Sequence, residues 1–481
     1  MKPGPELKTH PLYLNGQWVR TATSQPVVNP ATGEPFAAVC TAAAAAVTRA
    51  IEDAQGAFER WRRLPAKARG AYLHAIADQL EARRQEIART ITLENGKPLA
   101  QSLGEIAMSV DHLRWFAEEA RRVYGRIVPN QVEGKRHWVV KTPIGVVAAI
   151  SPWNFPLVLA VRKLAPALAA GCAAILKPAS ATPLCALALA ECAEAAQLPA
   201  GVLQVVLGPA AQIAGEFLRH PGCRKISFTG STEVGRELIR GAAETIKPLS
   251  LELGGHAPVL VFEDADLEAA VDGAMVAKFR NTGQSCIAAN RIFVQRSIYD
   301  RFLERLVRQT QGLKVGDGLE DGVQIGPLIN RAGLEKAKEH IQDAVRRGAR
   351  LLCGGRALDR SGWFIEPAVL ADVPPPALCM QEETFAPIAA VASFATETEA
   401  IALANDTPYG LSAYAFTRDL NRVLRLSESI EAGTLGINDG VPSTSNCPFG
   451  GMKQSGWGRE LGSEGIEEFV EVKHVSIGLS S

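Results

Sequence analysis

The chain has 481 residues, with 51 basic and 51 acidic side chains and a formal net charge of zero. That balance lacks the basic excess that a nucleic-acid or anionic-membrane partner requires. A content of 47% hydrophobic and 21% charged residues is ordinary for a globular protein, and the length predicts about three domain-sized units.

The opening MKPGPELKTHPLYLNG has no apolar core behind its lysine, so no signal peptide is expected there. The alanine run Ala42–Ala46 opens a helix pattern with Val47, Ile51, Ala54 and Phe58 on one face. A second helix is expected from Arg69 to Glu94, carrying Leu73, Ile76, Leu80 and Ile87 and stopped by Asn95-Gly96. The stretch Gly134–Lys141 (GKRHWVVK) reads as an isolated strand.

From Pro143 the texture changes. Apolar runs at Ile144–Ile150, Ala173–Leu176, Leu203–Leu207 and Lys225–Phe228 alternate with helix patterns at Pro156–Ala170, Pro183–Ala196 and near Ile213–Leu218. This alternation predicts crossover units and a parallel sheet. A second such series follows Gly254-Gly255: strand Pro258–Phe262, helix Leu267–Phe279, strand Arg291–Val294, helix Ile298–Leu313. The tail Gly465–Ser481 alternates like a strand, and is expected to pair with 134–141 or across subunits.

The longest apolar stretches, Val139–Val147 and Leu164–Leu176, are interrupted by Lys, Pro and Gly. They fall short of the roughly 18 residues of a membrane helix. There are nine cysteines, with no Cys-x-x-Cys pair, and no His-x-x-x-His. Neither a disulfide scaffold nor a metal site is expected, and a reducing cytoplasm is.

Several short segments carry chemistry. No Gly-x-Gly-x-x-Gly follows any expected strand. Gly230-Ser231-Thr232 lies between a strand and a helix, where free N–H groups meet an anion; Ser231 either contacts a phosphate there or caps the helix. Cys286, in Gly-Gln-Ser-Cys, sits on a polar turn, as a reactive thiol would, or is one more structural cysteine. Glu252 stands between leucines before two glycines, and is either a general base of raised pKa or an edge-strand carboxylate facing water. Asn154, in Pro-Trp-Asn-Phe-Pro, offers an amide to an oxyanion or serves as a turn residue. Lys177 ends a parallel strand, the place where open α/β sheets bind ligands; Glu383 precedes Thr384 and Phe385.

The ordered set Pro-Trp-Asn-Phe-Pro, Lys-Pro-Ala-Ser, Phe-Thr-Gly-Ser-Thr, Leu-Glu-Leu-Gly-Gly, Gly-Gln-Ser-Cys, Glu-Glu-Thr-Phe-Ala-Pro and Pro-Phe-Gly-Gly resembles the aldehyde dehydrogenase superfamily over nearly the whole chain. The resemblance implies an α/β fold of two Rossmann-like domains plus a small β oligomerisation flap. It divides the chain into a dinucleotide-binding domain (1–125 and 146–252), a catalytic domain (253–452), and oligomerisation strands with the tail (126–145 and 453–481). It implies that Cys286 attacks the aldehyde, that Asn154 and the Cys286 N–H hold the oxyanion, and that Glu252 activates water to hydrolyse the thioester. Branches that pass the acyl group to coenzyme A do not rely on this glutamate, so release as the acid is expected.

For the cofactor the same resemblance implies Trp153, Lys177, Ser180, Gly230, Ser231, Leu253, Glu383 and Phe385. Many NAD-preferring members carry Glu where this chain has Ser180. A small neutral side chain beside Lys177 tolerates a 2′-phosphate, so NADP is expected first and NAD second. Within the superfamily the likeness is to succinate-semialdehyde dehydrogenases, through Lys278–Gln284, Arg162-Lys163-Leu164 and Ser476–Leu479. That likeness implies a carboxylate clamp of Arg162, Arg280 and Ser443. Two departures follow. Ala288 replaces the second cysteine that some relatives carry, so no redox switch is expected. The loop Asp439–Asn446 departs from the succinate-semialdehyde pattern, and Asp439–Pro442 with Glu252–Pro258 resembles dehydrogenases for 2-oxoglutarate semialdehyde, which leaves the substrate chain length open.

Other readings are a broad-range aldehyde dehydrogenase, a thiol hydrolase using Cys286 and Glu252 without redox, and a non-catalytic binding protein. Intact cofactor and catalytic positions argue against the last two. The partners expected are a small semialdehyde, no nucleic acid, no membrane, and other copies of the chain in a homodimer or homotetramer.

Overall fold

The computed structural model describes residues 7–479; the first six residues, within the stretch read as lacking a signal peptide, and the last two, at the end of the expected tail strand, lie outside the described residues. Two sheets organise the chain. The first has eight strands, in the order Gly456–Trp457, Leu249–Glu252, Cys223–Thr229, Val146–Ile150, Ala173–Lys177, Leu203–Val205, Leu12–Leu14 and Gln17–Val19. The five from Leu249–Glu252 to Leu203–Val205 are mutually parallel. Helices cover both faces, which is why Val146–Ile150 and Ala173–Lys177 are buried at every position and read as unbroken apolar runs.

Strand order reverses between Val146–Ile150 and Cys223–Thr229. The chain runs outward from the first of these to Leu203–Val205, then returns to the other side. Such a reversal opens a crevice at the carboxyl ends of the two strands. The segments leaving there are Ser151–Phe155 and Gly230-Ser231, two of the stretches singled out from sequence.

The second sheet has seven strands, with Ala257–Val261 between Ala289–Gln295 and Ser412–Phe416. Glu252 ends a strand of the first sheet, and Cys286 lies just before Ala289–Gln295 of the second. The site thus forms where carboxyl ends of one sheet meet amino ends of the other. Gly254-Gly255 makes the link, and a side chain at Gly255 would collide with the Cys286 carbonyl.

The two outlying strands pair with each other. Val470–Gly478 runs antiparallel to Lys135–Pro143, and Arg126–Val128 completes a three-stranded sheet. Gly456–Trp457 pairs instead with Leu249–Glu252, so that part of the 453–481 segment is an edge of the first sheet.

The expected helix Arg69–Glu94 is two helices, Ala66–Ala82 and Arg84–Asn95. Arg83 leaves helical geometry at φ −100°, ψ 14°, and its guanidinium ties Glu86 to Glu191 across the break. Apolar spacing carries through such a break and does not reveal it. Helix Leu99–Glu119, not expected, follows directly. It buries Ile106, Val110, Leu113 and Phe116, but also Ser102, Glu105, Ser109 and His112, which blur its apolar stripe.

No helix among the described residues is long and apolar enough to cross a membrane, and no group of three or more potential metal ligands occurs among them. All nine cysteines are free.

Candidate active site

Cys286 is half-buried and lines a cavity with Phe155, Arg162, Arg280, Tyr414 and Ser443. The approach to it is a tight turn in which Asn281, Thr282 and Gly283 all adopt positive φ (50°, 57° and 73°). Left-handed backbone at two non-glycine residues persists only if the surroundings impose it. Here Asn281 Nδ2 donates to the Asn154 carbonyl at 2.8 Å and the Gln284 carbonyl at 3.0 Å. Thr282 exchanges hydrogen bonds with the Gly326 backbone, and Gln284 Oε1 accepts from Ile329 N at 2.9 Å.

Asn154 is buried against the same turn, its Nδ2 donating to the Gln284 carbonyl at 3.2 Å. Its position depends on a buried ion pair. Lys97 Nζ donates to the Asn154 carbonyl at 2.7 Å and to Glu105 Oε2 at 2.6 Å. Glu105 Oε1 accepts from Leu157 N and Val158 N, closing the first turn of helix Val158–Ala170. Both charges are fully buried. Lys97→Met strands the Glu105 carboxylate, at a cost of about 3–5 kcal/mol. A clear fall in the thermal midpoint is expected, and an unchanged midpoint would mean that the pair contributes nothing.

Glu252 is buried, and its Oε2 has no hydrogen-bond partner. Burial holds its carboxyl well above the usual carboxylate range, and the nearby charge of Glu460 pushes the same way; Lys163, Arg162 and Arg459 oppose both. Burial also pushes the Cys286 thiol up to about 12, with the charges of Glu383 and Glu252 adding to it. Both shifts favour the protonated forms. Positive charge brought close to them would lower both pKa values.

Arg162 Nη2 donates to Ser443 Oγ at 3.1 Å, its Nη1 lies 3.9 Å from Glu460, and its guanidinium covers the Phe449 ring. Arg280 lies over Phe155 with Nη2 3.5 Å from the Met108 sulfur, and has no ion-pair partner among the described residues. Two guanidinium groups and a hydroxyl thus share one cavity wall with the thiol.

On the crevice side, Lys177 is buried at its strand end, with Nζ bonded to the Pro178 carbonyl at 3.1 Å, while Ser180 is exposed. Ser231 caps helix Thr232–Ala243 by accepting from Val234 N at 3.4 Å, which leaves the helix's first N–H groups facing the crevice. Gly230 N donates to the Glu252 carbonyl, and Leu253 N to that of Ser455. Glu383 Oε1 accepts from Gly255 N at 3.1 Å, and burial raises its pKa to about 7. Phe385 meets Trp153 edge to face, ring centres 5.4 Å apart. Free helix N–H groups, a lightly bonded lysine, an exposed serine and a carboxylate in one crevice suit the phosphates and ribose hydroxyls of a dinucleotide.

Sequence reading missed Lys163 and Glu460. Lys163 Nζ donates to Glu460 Oε1 and to Thr229 Oγ1, each at 2.6 Å, in a buried pair beside Glu252. A signal was present, since two cations stand side by side in an otherwise apolar helix and require a buried counter-charge. Glu460 went unnoticed because its segment was assigned to the tail.

A doubly wound sheet with a crevice at its switch point, opening onto a cysteine and a buried carboxylate, suits a nucleotide held beside a nucleophile and a base. The sequence model of the aldehyde dehydrogenase family matches residues 18–475, and the chain belongs to that family. It is 49% identical over 468 residues to the succinate-semialdehyde dehydrogenase [NADP(+)] of Escherichia coli K12, covering 97% of each chain. It is equally 49% identical, over 469 residues and 97% of each chain, to the glutarate-semialdehyde dehydrogenase of Pseudomonas putida. Among solved structures, the succinate-semialdehyde dehydrogenase of Burkholderia pseudomallei superposes with a TM-score of 0.97 at 47% identity, over 99% of each chain. The fold expected from the sequence motifs is therefore the fold observed.

Proposed function

We propose that this protein oxidises a short aldehyde with a distal carboxylate, succinate semialdehyde to succinate foremost, using NADP+ or NAD+. The observation that carries this reading is the pair of guanidinium groups, Arg162 and Arg280, sharing the cavity wall with Cys286 and Ser443. A guanidinium offers paired donors to a carboxylate, and Arg280 has no carboxylate partner among the described residues.

The Cys286 thiol loses its proton to solvent and its sulfur attacks the aldehyde carbon. Asn154 Nδ2 and the Cys286 N–H hold the resulting oxyanion. When bound, the nicotinamide would supply the hydride acceptor, and loss of hydride from the adduct carbon would leave the thioester on Cys286. Lys177, Ser180, Gly230, Ser231, Leu253, Trp153, Glu383 and Phe385 bind and orient the dinucleotide. Glu252 then takes a proton from water, which attacks the thioester and releases the acid.

A second reading is a substrate one carbon longer or bearing a further oxo group. Gly440 and Val441 of the loop Asp439–Asn446 line the cavity. The proposed division is a dinucleotide-binding domain (1–125, 146–252), a catalytic domain (253–452) and a flap with the tail (126–145, 453–481). Exposed Ile127, Trp138 and Val472 on the flap suit a second copy of the chain, and nine free cysteines suit the cytoplasm.

The test is reduced-nicotinamide formation with succinate semialdehyde, glutarate semialdehyde and propanal, each with NADP+ and NAD+. Arg162→Ala and Arg280→Ala should each lower kcat/KM by about 10²-fold on the carboxylated aldehydes and leave propanal nearly unchanged. Equal losses on all three substrates would discard the clamp.

A further inference from the structure

Lys278 is fully buried at the last turn of helix Leu267–Phe279, and the mechanism above makes no use of it. Its Nζ donates to Asn290 Oδ1 at 3.0 Å and to Thr384 Oγ1 at 3.2 Å. The Thr384 hydroxyl donates in turn to Asn290 Oδ1 at 2.7 Å, closing a triangle. Buried Lys97, Lys163 and Lys225 each meet a carboxylate, whereas among the described residues Lys278 has none. An ammonium buried on neutral partners costs stability.

Its placement says what that cost supports. Asn290 is the second residue of strand Ala289–Gln295, which follows Cys286, and Thr384 lies between Glu383 and Phe385. Phe385 sits at φ +51°, a conformation that its neighbours must impose. We propose that Lys278 is a positioning residue for the cofactor site. By holding Thr384 against Asn290 it fixes the Glu383–Phe385 turn relative to the strand behind Cys286. This rests on the reading above that Glu383 and Phe385 bind the nicotinamide ribose and ring.

The other holds on this turn come from other elements: Gly255 N on Glu383 Oε1, and Lys336 Nζ on the Glu383 carbonyl at 2.7 Å. Charge agrees with geometry. Glu383 and the Cys379 thiol are the acidic groups facing Lys278, whose own pKa burial lowers to about 7. His256 and His340 nearby are kept neutral by burial, at about 3 and about 4. Lys278 and Lys336 both favour the ionised form of Glu383, which the ribose hydroxyls need as acceptor.

The test uses the full-length enzyme, with NADP+ binding measured by calorimetry across pH 6–9 and thermal midpoints alongside. Lys278→Met keeps the stem but removes the ammonium that bridges Asn290 and Thr384. It should weaken NADP+ binding by about tenfold, leave the aldehyde KM within about twofold, and leave the thermal midpoint unchanged or higher. Thr384→Val should weaken binding similarly, and the double variant no further. In the wild type, binding should weaken as pH falls through about 7, where Glu383 takes up its proton. In Lys278→Met that midpoint should move upward. Glu383→Gln is the control. If it weakens NADP+ binding while Lys278→Met does not, or if Lys278→Met lowers the thermal midpoint and raises both constants together, Lys278 is structural only. If Glu383→Gln itself leaves binding unchanged, the ribose reading fails and the Lys278 proposal falls with it.

Discussion

Cys286→Ala should abolish aldehyde oxidation, lowering kcat by about 10⁴-fold or more, while NADP+ still binds. The size follows from covalent catalysis. Without the sulfur no tetrahedral adduct forms, and the oxyanion donors of Asn154 and residue 286 have nothing to stabilise. The remaining eight cysteines offer no substitute: six are buried, and neither Cys353 nor Cys447 lines the cavity. Nucleotide binding should survive, because the crevice groups belong to other elements. Steady-state assay and calorimetry on one preparation check both halves. Residual activity above about a hundredth of wild type would assign the nucleophile elsewhere.

Glu252→Gln should separate the two half-reactions. One equivalent of reduced cofactor per subunit should appear, after which turnover falls by about 10²–10⁴-fold, because the thioester no longer meets an activated water. The pH dependence follows from the environment. Burial and Glu460 hold the Glu252 carboxyl protonated well above its usual range, so its base form grows as pH rises. Wild-type turnover should therefore rise with pH, and the variant should lose that rise. Rapid-quench or stopped-flow records over pH 6–9 show both features. A variant that turns over steadily with no initial burst would remove Glu252 from deacylation.

What the sequence revealed was mostly local. Val146–Ile150 and Ala173–Lys177 were legible as strands because full burial writes an unbroken apolar run. Cys286, Glu252 and Asn154 were legible as candidates because each lies in a short motif. Longer-range features were not. The break at Arg83 depends on Glu191, more than a hundred residues away, and apolar spacing is silent about it. Glu460 reaches Lys163 across 297 positions, and its charge helps set the protonation of Glu252, yet its own segment reads as an ordinary polar stretch. Lys278 was noticed only as part of a resembling stretch, since a lysine at a helix end looks solvent-exposed until its partners Asn290 and Thr384 are seen. The pairing of 135–143 with 470–478 was one of two outcomes expected by elimination, the other being pairing across subunits, as neither strand fitted the alternating series.

The most direct test of the central claim is mass analysis of the Glu252→Gln enzyme, quenched in acid after mixing with succinate semialdehyde and NADP+. The account predicts a succinyl adduct on the peptide containing Cys286, in step with one reduced cofactor per subunit, and no adduct when NADP+ is omitted or Cys286 is also replaced. Reduced cofactor without an adduct, or an adduct on another cysteine, would contradict it.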